Sequence, residues 1–446
     1  MLDQVPIEVL RTLDQLPTEW KVTTIGEIAL QVGSGITPRG GSATYLAEGV
    51  PLIRSQNVLM NRLQLDDVAY VSAGMHQTMS RTALAPGDVL LNITGASIGR
   101  VAVVPSHLAT ANINQHVCRI RLKNRCDPAF VSYYLSSQAA QASIVGSQYG
   151  ATRQGLNYGQ VRQLELPLPP LPEQRAIAHV LRMVQRAKEA TEKVMAAAAQ
   201  LKQSMTQHLF RYGPVSFQGA ALIECKESQV GTIPASWDVA PLDVVTEFLQ
   251  YGTSERCSTE PHGFPVLRIP NIIGESVRTS DLKYVEMEPS HAQNLALADG
   301  DIMFVRTNGR REYVGRCAVY HGDPPNALFA SYLIRARLKD PVLPDFLLLY
   351  AGTSAGRSFL SGRASGSADG KFNINTQILR AVMIPVPELT DQTAIVGILD
   401  AISRYVSALE KRKLTLESIF DSLLHNLMTG KARVGESQVA DAAGRA

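Results

Sequence analysis

The stretch Leu166-Pro167-Leu168-Pro169-Pro170-Leu171-Pro172-Glu173-Gln174 decides how this chain is organised, because a version of it occurs twice. The second copy runs from Ile384-Pro385-Val386-Pro387 to Asp391-Gln392. Proline fixes φ and moves the preceding residue out of the helical region, so the stretch predicts a stiff extended hinge. Pro172 followed by Glu173 is a favourable helix start. Roughly 40 residues without proline follow each copy, enough for a helix about 60 Å long.

Apolar side chains recur in both of these segments at intervals that alternate between three and four residues. This heptad pattern is typical of a helix that packs along one seam against another helix. Because both copies carry the seam, we predict that the two helices pair, and we prefer an antiparallel pair. Two separate amphipathic helices, each lying on its own domain, are the alternative. The seam positions are Leu181, Val184, Thr191, Met195, Ala198, Met205 and Leu209, then Leu399, Ile402, Val406, Leu409, Leu416, Phe420, Leu423 and Leu427.

The globular regions before the two helices also resemble each other. Pro17-Thr18-Glu19-Trp20 matches Pro234-Ala235-Ser236-Trp237, and further matches follow in the same order along both copies. The chain is therefore predicted to be a tandem duplication of one unit. We expect a first globular domain with an N-terminal lead-in, a hinge and first helix, a second globular domain, a hinge and second helix, and a C-terminal tail, at residues 1–166, 167–213, 214–384, 385–430 and 431–446.

Each globular region carries short runs rich in β-branched residues, bounded by Gly, Pro, Asn and Ser, which predict strands. One short helix is expected after the strands in each copy, at 128–136 and 344–351. These features predict an α+β fold with a twisted sheet and several polar loops. The predicted strands cover 89–93, 101–104 and 117–122 in the first copy, and 302–305, 317–320 and 333–338 in the second.

Composition excludes several classes of protein. The chain has 446 residues, of which 45% are hydrophobic, enough for two or three packed domains. No apolar run reaches the ~18 residues of a membrane span, so we expect a soluble, cytoplasmic protein without a membrane partner. The five cysteines show no metal-binding or disulfide spacing. The net charge of +3 is too small to indicate a nucleic-acid binder by itself.

Sequence motifs of catalysis are absent. The chain has no phosphate-binding Gly-rich motif, no His-Glu-x-x-His and no Gly-x-Ser-x-Gly. Asp323-Pro324-Pro325-Asn326 is similar to a methyltransferase motif but lacks its aromatic residue, so we interpret it as a surface turn. Asp345 with Asp369 and Lys371 fits a loose nuclease pattern. In such a site the acidic residues must lie on neighbouring strands to hold Mg²⁺, whereas Asp345 begins a predicted helix. We expect a non-catalytic protein.

Polar loops remain as the candidate functional regions. Arg, Asn, Gln and Ser are the side chains that read base edges, and they also bind phosphates. Taken singly, each residue fits an ordinary solvated loop, but the set recurs at matching places in both copies. The selected residues are Thr37, Arg39, Arg54, Gln56, Asn92, Thr94, Arg100, Tyr149 and Arg153 in the first copy, and Arg268, Asn271, Arg306, Asn308, Arg310, Arg311, Arg363 and Lys371 in the second.

Taken together, these features resemble the specificity (S) subunits of type I restriction–modification systems over nearly the whole chain. The order and duplication of the motifs carry the resemblance, together with the two long helices. The second copy departs from the first, since Arg306 to Arg311 is charged where Asn92 to Ser97 is not. The motifs are Gly35-Ile36-Thr37-Pro38, Pro86-Gly87-Asp88-Val89-Leu90, Gly99-Arg100-Val101-Ala102, Asn112-Ile113-Asn114-Gln115 and Leu168-Pro169-Pro170-Leu171-Pro172-Glu173-Gln174.

The resemblance implies a DNA-recognition subunit. Each globular region would be a target recognition domain that reads one half of a split, asymmetric sequence in double-stranded DNA. The helices would form an antiparallel coiled coil that fixes the distance between the half-sites. Two methyltransferase subunits, and two restriction subunits where the system has them, would be the partners. No cofactor is expected on this chain, while S-adenosylmethionine, ATP and Mg would belong to partner subunits. The alternative is a coiled-coil scaffold with two protein-binding domains and no role at DNA.

Overall fold

The computed structural model describes residues 16–147, 155–274, 276–366 and 370–435. The chain divides into two compact units. The first unit comprises Met1–Glu192 and Lys411–Ala446, and the second comprises Lys193–Glu410. Each unit therefore combines one globular domain with part of both long helices. None of the described helices is long and apolar enough to cross a membrane.

The described part of the chain contains two long α-helices, α6 and α12, and ten short ones. Those up to the first long helix are α1 (Ile25–Ile28), α2 (Ala73–Thr78), α3 (Pro128–Ser136), α4 (Gln138–Gly146), α5 (Tyr158–Gln163) and α6 (Leu171–Tyr212). The remainder are α7 (Leu242–Val245), α8 (Pro289–Leu295), α9 (Pro344–Gly352), α10 (Ser354–Leu360), α11 (Thr376–Arg380) and α12 (Leu389–Met428).

The strands of the first unit form one four-stranded antiparallel sheet and several smaller sheets. The large sheet has the order β2-β10-β7-β8, beside a β6-β3-β9 sheet, a β4-β5 hairpin and a β1-β11 pair. In the three-stranded sheet β3 is antiparallel to β6 and parallel to β9. The strands are β1 (Lys21–Thr24), β2 (Ala29–Ser34), β3 (Val50–Ile53), β4 (Val58–Leu59), β5 (Arg62–Leu63), β6 (Ala69–Val71), β7 (Val89–Asn92), β8 (Val101–Val103), β9 (Asn112–Ile113), β10 (Val117–Leu122) and β11 (Glu165–Leu168).

The strands of the second unit repeat these sheets in the same order. They form β15-β24-β20-β22, β19-β16-β23, β17-β18 and β14-β27, and the described residues add a β12-β13 hairpin and a β21-β26-β25 sheet. The strands are β12 (Cys225–Ser228), β13 (Gly231–Pro234), β14 (Asp238–Pro241), β15 (Thr246–Tyr251), β16 (Phe264–Leu267), β17 (Ile272–Ile273), β18 (Ser276–Val277), β19 (Lys283–Val285), β20 (Ile302–Val305), β21 (Thr307–Asn308), β22 (Cys317–Val319), β23 (Leu328–Phe329), β24 (Leu333–Leu338), β25 (Ser365–Gly366), β26 (Phe372–Asn373) and β27 (Met383–Val386).

In the first unit the two long helices pack antiparallel. Lys188 forms an ion pair with Glu417 at 3.6 Å, and Glu192 forms one with Lys413 at 3.2 Å. Later residues of α6 therefore pair with earlier residues of α12, as expected for antiparallel helices. Phe420 of α12 also packs edge-on against Tyr133 of α3, with ring centroids 5.9 Å apart. The seam thus continues into the domain core, which includes Ile177, Ala178 and Leu181 of α6 and Leu424, Leu427 and Met428 of α12.

In the second unit the end of α6 and the start of α12 share one core. Leu209 of α6 lies in the same buried cluster as Ile395 and Leu399 of α12. The Phe210 ring packs on the Phe346 ring of α9, with centroids 5.3 Å apart. Both helices of the duplicated sequence therefore contribute to each unit. The predicted α+β class, duplication and antiparallel helix pair are confirmed, and the alternative of two separate helices is wrong.

The repeated Glu-Gln and Asp-Gln pairs anchor the long helices to their domains. Trp20 Nε1 donates a hydrogen bond to Glu173 Oε2 at 3.0 Å. The buried Gln174 side chain accepts from the Asp127 N–H at 2.9 Å and donates to the Pro169 carbonyl at 2.8 Å. Gln174 therefore supplies partners for backbone groups at the starts of α3 and α6, where helical hydrogen bonds are lacking.

The second copy repeats this anchor. Gln392 accepts from the Leu343 N–H at 2.8 Å and donates to the carbonyls of Pro341 at 2.8 Å and Pro387 at 2.9 Å. Buried polar groups left without such partners would cost stability. The repeated stretch that organises the sequence is thus a repeated set of hydrogen bonds between helix and domain.

The structure adds local detail that the sequence did not predict. The predicted hinge is partly a strand, since β11 pairs with β1 from Lys21↔Leu168 to Thr24↔Glu165. A second short helix, α4 or α10, follows the one expected in each copy. The predicted ends of the long helices are confirmed, because Gly213 and Gly430 have φ of 77° and 69°, a conformation that suits glycine at a helix end.

Candidate nucleic-acid interface

A short connection between two strands joins the candidate loops of the first domain. This first central connection, residues 114–116, links β9 to β10. Asn114 N–H donates to the Ile53 carbonyl at 3.1 Å, next to Arg54, and its own carbonyl accepts from the Gly35 N–H at 3.2 Å. Thr94 Oγ1 and His116 Nδ1 are 2.6 Å apart. The loops that carry Thr37, Arg54 and Thr94 therefore meet at one place.

The second domain has the same arrangement around its own central connection, residues 330–332, between β23 and β24. The Ala330 N–H donates to the Leu267 carbonyl at 2.9 Å, and the Ser331 N–H donates to the Thr253 carbonyl at 2.8 Å. The Arg306 N–H donates to the Tyr332 carbonyl, also at 2.9 Å. The loops that begin at Arg268 and Arg306 are thus brought together.

Glycine permits the close approach of the first loop in each domain. A Cβ atom at Gly35 would lie 1.5 Å from the Ile113 carbonyl oxygen, and one at Gly252 would lie 2.0 Å from the Phe329 oxygen. A side chain at either position would force the loop away from the central connection. This explains on steric grounds why Gly35 and Gly252 stand at equivalent places in the two copies.

Arg54 and Arg268 occupy equivalent positions and are largely buried. The Arg54 guanidinium donates to the Asp67 carbonyl at 3.3 Å, and that of Arg268 donates to the Asp281 carbonyl at 2.6 Å. Their side chains are 21% and 20% exposed. Each arginine therefore stiffens its loop and keeps only part of its donor set toward solvent. Gln56, by contrast, is exposed, and its Nε2 donates to the Asp67 carboxylate at 3.2 Å.

Two of the selected asparagines lie inside the fold. Asn271 is fully buried, accepts from the Arg268 N–H at 2.9 Å and donates to the carbonyls of Arg278 and Ser280. Asn57, which we did not select, makes the corresponding contacts in the first domain. Asn92 is also fully buried and donates to the Ser55 carbonyl at 2.8 Å. These side chains hold the loops in shape rather than face solvent.

The remaining residues of the first domain lie on its surface. Arg39 and Arg100 are exposed, and Thr37 and Thr94 are partly exposed. Tyr149 and Arg153 lie outside the described residues. The turn from Gly95 to Ser97 after β7 carries no charged side chain.

Cationic side chains gather on the small β21-β26-β25 sheet of the second domain. The Arg306 guanidinium lies over the Tyr251 ring, 4.7 Å from its centroid, and donates to the Ser331 carbonyl at 3.3 Å. Arg311 donates to the carbonyls of Ser361 at 2.9 Å and Gly362 at 2.5 Å. Arg310, Arg363 and Lys371 are exposed on the same strands and turns, and Asn308 is partly exposed in β21. The structure therefore brings together residues that are separated by more than 60 positions in the sequence.

A buried framework beneath these loops escaped the sequence analysis. Asp88 binds the Arg121 guanidinium at 2.7 Å, and Asp301 binds that of Arg337 at 2.8 Å. The hydrogen bonds that Arg337 donates to Asp301 raise the pKa of Arg337, whereas burial lowers the pKa of Arg335 beside it. The repeated Pro-Gly-Asp or Asp-Gly-Asp before a strand was the available signal. The two aspartates are buried, and the side chains of Arg121 and Arg337 are 33% and 32% exposed, so the ion pairs position the sheet from its inner side.

The described residues include no group of His, Cys, Asp and Glu that could hold a metal ion. The pattern in each domain is instead a set of loops with arginine, glutamine, threonine and aromatic side chains around a rigid centre. Such groups suit the recognition of a polar surface rich in hydrogen-bond acceptors.

Comparison with known proteins agrees with this description. Residues 17–198 match the family described as "Type I restriction modification DNA specificity domain". The EcoKI specificity subunit of Escherichia coli (strain K12) is 23% identical over 407 residues, which cover 89% of this chain and 85% of that protein. The MjaVIII specificity subunit of Methanocaldococcus jannaschii is 23% identical over 444 residues, which cover 94% of each.

A solved structure of the type I restriction–modification S subunit from M. genitalium has the same fold. It superposes with a TM-score of 0.57 at 15% identity and covers 93% of this chain and 97% of that one. The two chains thus share a two-domain fold, and in this chain each domain carries an equivalent set of loops. Residues 17–198 thus match this specificity domain, and the chain as a whole is similar to type I restriction–modification specificity subunits over most of its length.

Proposed function

We propose that this chain is the DNA-recognition subunit of a type I restriction–modification complex, and that each domain reads one half of a split, asymmetric sequence. One observation carries the proposal. Each domain places an equivalent set of loops around its own central connection, but the loops of the two domains carry different side chains. The turn that follows β7 in the first domain is uncharged. The equivalent turn, which follows β20 in the second domain, contains Arg306, Arg310 and Arg311. Two related surfaces with different chemistry suit two different half-sites.

The chemistry of these surfaces fits duplex DNA. Arginine can donate two hydrogen bonds to guanine, and asparagine or glutamine can pair with adenine. Arg310 and Arg39, which are exposed, are suited to phosphate contacts that set the register of the protein on the duplex. Contact with DNA stays a prediction for the selected residues that are exposed or partly exposed, and it is not expected of the fully buried Asn92 and Asn271. Because the net charge is only +3, partner subunits would supply much of the phosphate binding, while this chain would contact the bases.

The partners of this chain would be two methyltransferase subunits, with two restriction subunits where the system has them. The duplicated anchors at Glu173-Gln174 and Asp391-Gln392 give the chain two equivalent units of domain and helix start, and two equivalent units suit two copies of one partner. The chain would be non-catalytic. S-adenosylmethionine, ATP and Mg would act on the partners in adenine methylation and restriction, and none would bind here.

The long helices would set the distance between the half-sites. Each is about 60 Å long at ~1.5 Å per residue, longer than one turn of the double helix. Their ion pairs and apolar seam resist bending, which a spacer of fixed length requires. This chain would therefore determine both the bases that are read and the number of base pairs between them.

A domain exchange tests the proposal. Residues 20–168, which include both strands of the β1-β11 pair, are replaced by the corresponding segment of a related subunit. We expect the methylated motif, measured by methylome sequencing, to change in one half only. The reciprocal exchange of residues 238–386, which include the β14-β27 pair, serves as the control and should change the other half. A change of both halves after either exchange would contradict independent reading.

A further inference from the structure

His116 and Tyr332 occupy the same position in the two domains. In β10 Val117 pairs with Asn92, and in β24 Leu333 pairs with Val305. The residue just before each of these strands accepts an equivalent hydrogen bond. The Ile93 N–H donates to the His116 carbonyl at 3.0 Å, and the Arg306 N–H donates to the Tyr332 carbonyl at 2.9 Å. The pattern of hydrogen bonds, rather than sequence similarity, establishes the match.

The backbone at this position is firmly held in both domains. The Val117 N–H donates to the Asn114 carbonyl at 3.3 Å, and the Leu333 N–H donates to the Ala330 carbonyl at 2.9 Å, so each central connection closes a tight turn. Further bonds join each connection to the neighbouring loops, as described above. The backbone at this position therefore loses little further conformational entropy when the loop binds a ligand.

The two side chains at this position differ in chemistry. Tyr332 is 58% exposed, and within the described part of the chain its hydroxyl has no hydrogen-bond partner. Tyrosine offers a rigid apolar ring and a polar group that can donate or accept. His116 is partly exposed, and its Nδ1 lies 2.6 Å from Thr94 Oγ1, so the orientation of the ring is fixed. Its Nε2, at the opposite edge of the ring, lies 3.4 Å from Nε2 of the exposed Gln115 side chain.

The side chains that surround this position also differ in chemistry between the two domains. In the second domain the Arg306 guanidinium donates to the Ser331 carbonyl at 3.3 Å and lies over the Tyr251 ring. A fixed cation therefore stands beside Tyr332. In the first domain the equivalent place is taken by Ile93 and the neighbour of His116 is the exposed, uncharged Gln115. At the equivalent positions of His116 and Tyr332, the two domains therefore present different chemical groups on the same backbone.

We infer, on the basis of the proposed function, that His116 and Tyr332 are specificity-determining residues, each of which contacts a base edge within its own half-site. Tyr332 contacts a base through its ring and hydroxyl, with Arg306 binding beside it. His116 contacts a base through Nε2, while Thr94 holds the ring. Neither residue belongs to the set chosen from sequence, since a single His or Tyr in a polar loop gives no signal without the backbone connections.

Substitutions at the two positions test the inference, and each variant controls for the other. The full-length chain with Tyr332→Ala, Tyr332→Phe or His116→Ala is assembled with its methyltransferase subunits. Binding is measured to the wild-type site and to every single-base variant of both half-sites. We expect Tyr332→Ala to reduce discrimination about tenfold at one or two adjacent base pairs of one half-site. His116→Ala should do so only in the other half-site. Tyr332→Phe tells whether the hydroxyl or the ring makes the contact.

The outcomes separate this inference from the proposed function. If the wild-type complex shows no sequence preference, the proposed function fails. If the wild-type complex is specific and both alanine variants keep its preference at every position, the inference alone is overturned. A loss that is uniform over all sequences also overturns it, because a phosphate contact or a disturbed fold would act in that way. Thermal unfolding of each variant identifies a disturbed fold.

Discussion

Trp237 Nε1 donates a hydrogen bond to Asp391 Oδ2 at 2.9 Å and joins the start of the second domain to the first turn of α12. Trp20 and Glu173 make the equivalent bond in the first unit. A carboxylate in the first turn also interacts favourably with the helix dipole. The same side chain therefore stabilises the helix and fixes where it leaves the domain.

We predict that Asp391→Ala destabilises the protein. The Trp237 indole N–H, on a ring that is 1% exposed, would lose its partner, at a cost of ~1–3 kcal/mol. The free energy of unfolding in urea is the measurement. Asp400→Ala is the matched control, because Asp400 forms an exposed ion pair with Arg404 on the same helix and should contribute under ~1 kcal/mol. Equal effects of the two variants would show that the bond to Trp237 does not stabilise the fold.

A second prediction concerns Arg306, whose guanidinium is fixed by Tyr251 and Ser331. A fixed arginine is suited to a bidentate contact with guanine, and its change to alanine should cost ~1–3 kcal/mol at one base position. The measurement is binding of the assembled complex to single-base variants of the second half-site. Arg404→Ala, on α12, is the control and should leave base preference unchanged. A uniform loss over all bases would contradict a base contact.

Arg310 is predicted to act differently, because the described structure gives its guanidinium no hydrogen bond. An exposed arginine on a turn is suited to a phosphate. We expect Arg310→Ala to weaken binding to all sequences alike and to reduce the slope of log K against log salt by about one. Binding is measured at four salt concentrations. An unchanged slope together with unchanged affinity would remove this residue from the interface.

The helices give a prediction about spacing. Insertion of seven residues after Ala196 and of seven after Ala408 keeps the heptad register in both helices. Each helix grows by ~10 Å, so we expect the spacer in the methylated motif to lengthen by about two or three base pairs. Four residues inserted in α6 alone, between Ala196 and Ala199, rotate its far end by roughly 40°, and we expect a spacer longer by one or two base pairs or loss of methylation by the assembled complex. An unchanged spacer in the first variant would show that the helices do not set it.

Alkaline pH should reveal the burial of Cys118. Burial raises the pKa of this thiol from 9.0 to about 12. Between these values the unfolded chain releases a proton that the folded chain keeps, so stability falls as pH rises, by ~1.4 kcal/mol per pH unit for one such thiol. Cys118→Ala should show a smaller fall between pH 9 and 10.5 in urea unfolding. Val101→Ala, a buried change in β8 of the same four-stranded sheet, should lower stability without altering that fall.

Sequence reasoning reached the architecture because periodicity and duplication are visible without coordinates. The heptads predict the helix pair, and the repeated Pro-Glu-Gln stretch marks where each helix begins. The α4 and α10 helices were missed because Gln138–Gly146 and Ser354–Leu360 are only nine and seven residues long.

The candidate surface was predicted less completely, for a physical reason. The direction of a side chain depends on tertiary contacts, so a polar residue in a loop can point inward, as Asn92 and Asn271 do. The positions of His116 and Tyr332 become apparent only through backbone hydrogen bonds between segments distant in sequence. Sequence thus located the loops but not the residues that they present.

The first unit is built from both ends of the chain, and this has a consequence for biosynthesis. Phe420, Leu424 and Leu427 complete the core that surrounds Trp20 and Tyr133. At ~5–20 residues per second, the ribosome would need on the order of tens of seconds after making α6 to supply them. The N-terminal domain would therefore mature last, and a premature stop codon near the end of the gene would damage the part of the protein that was synthesised first.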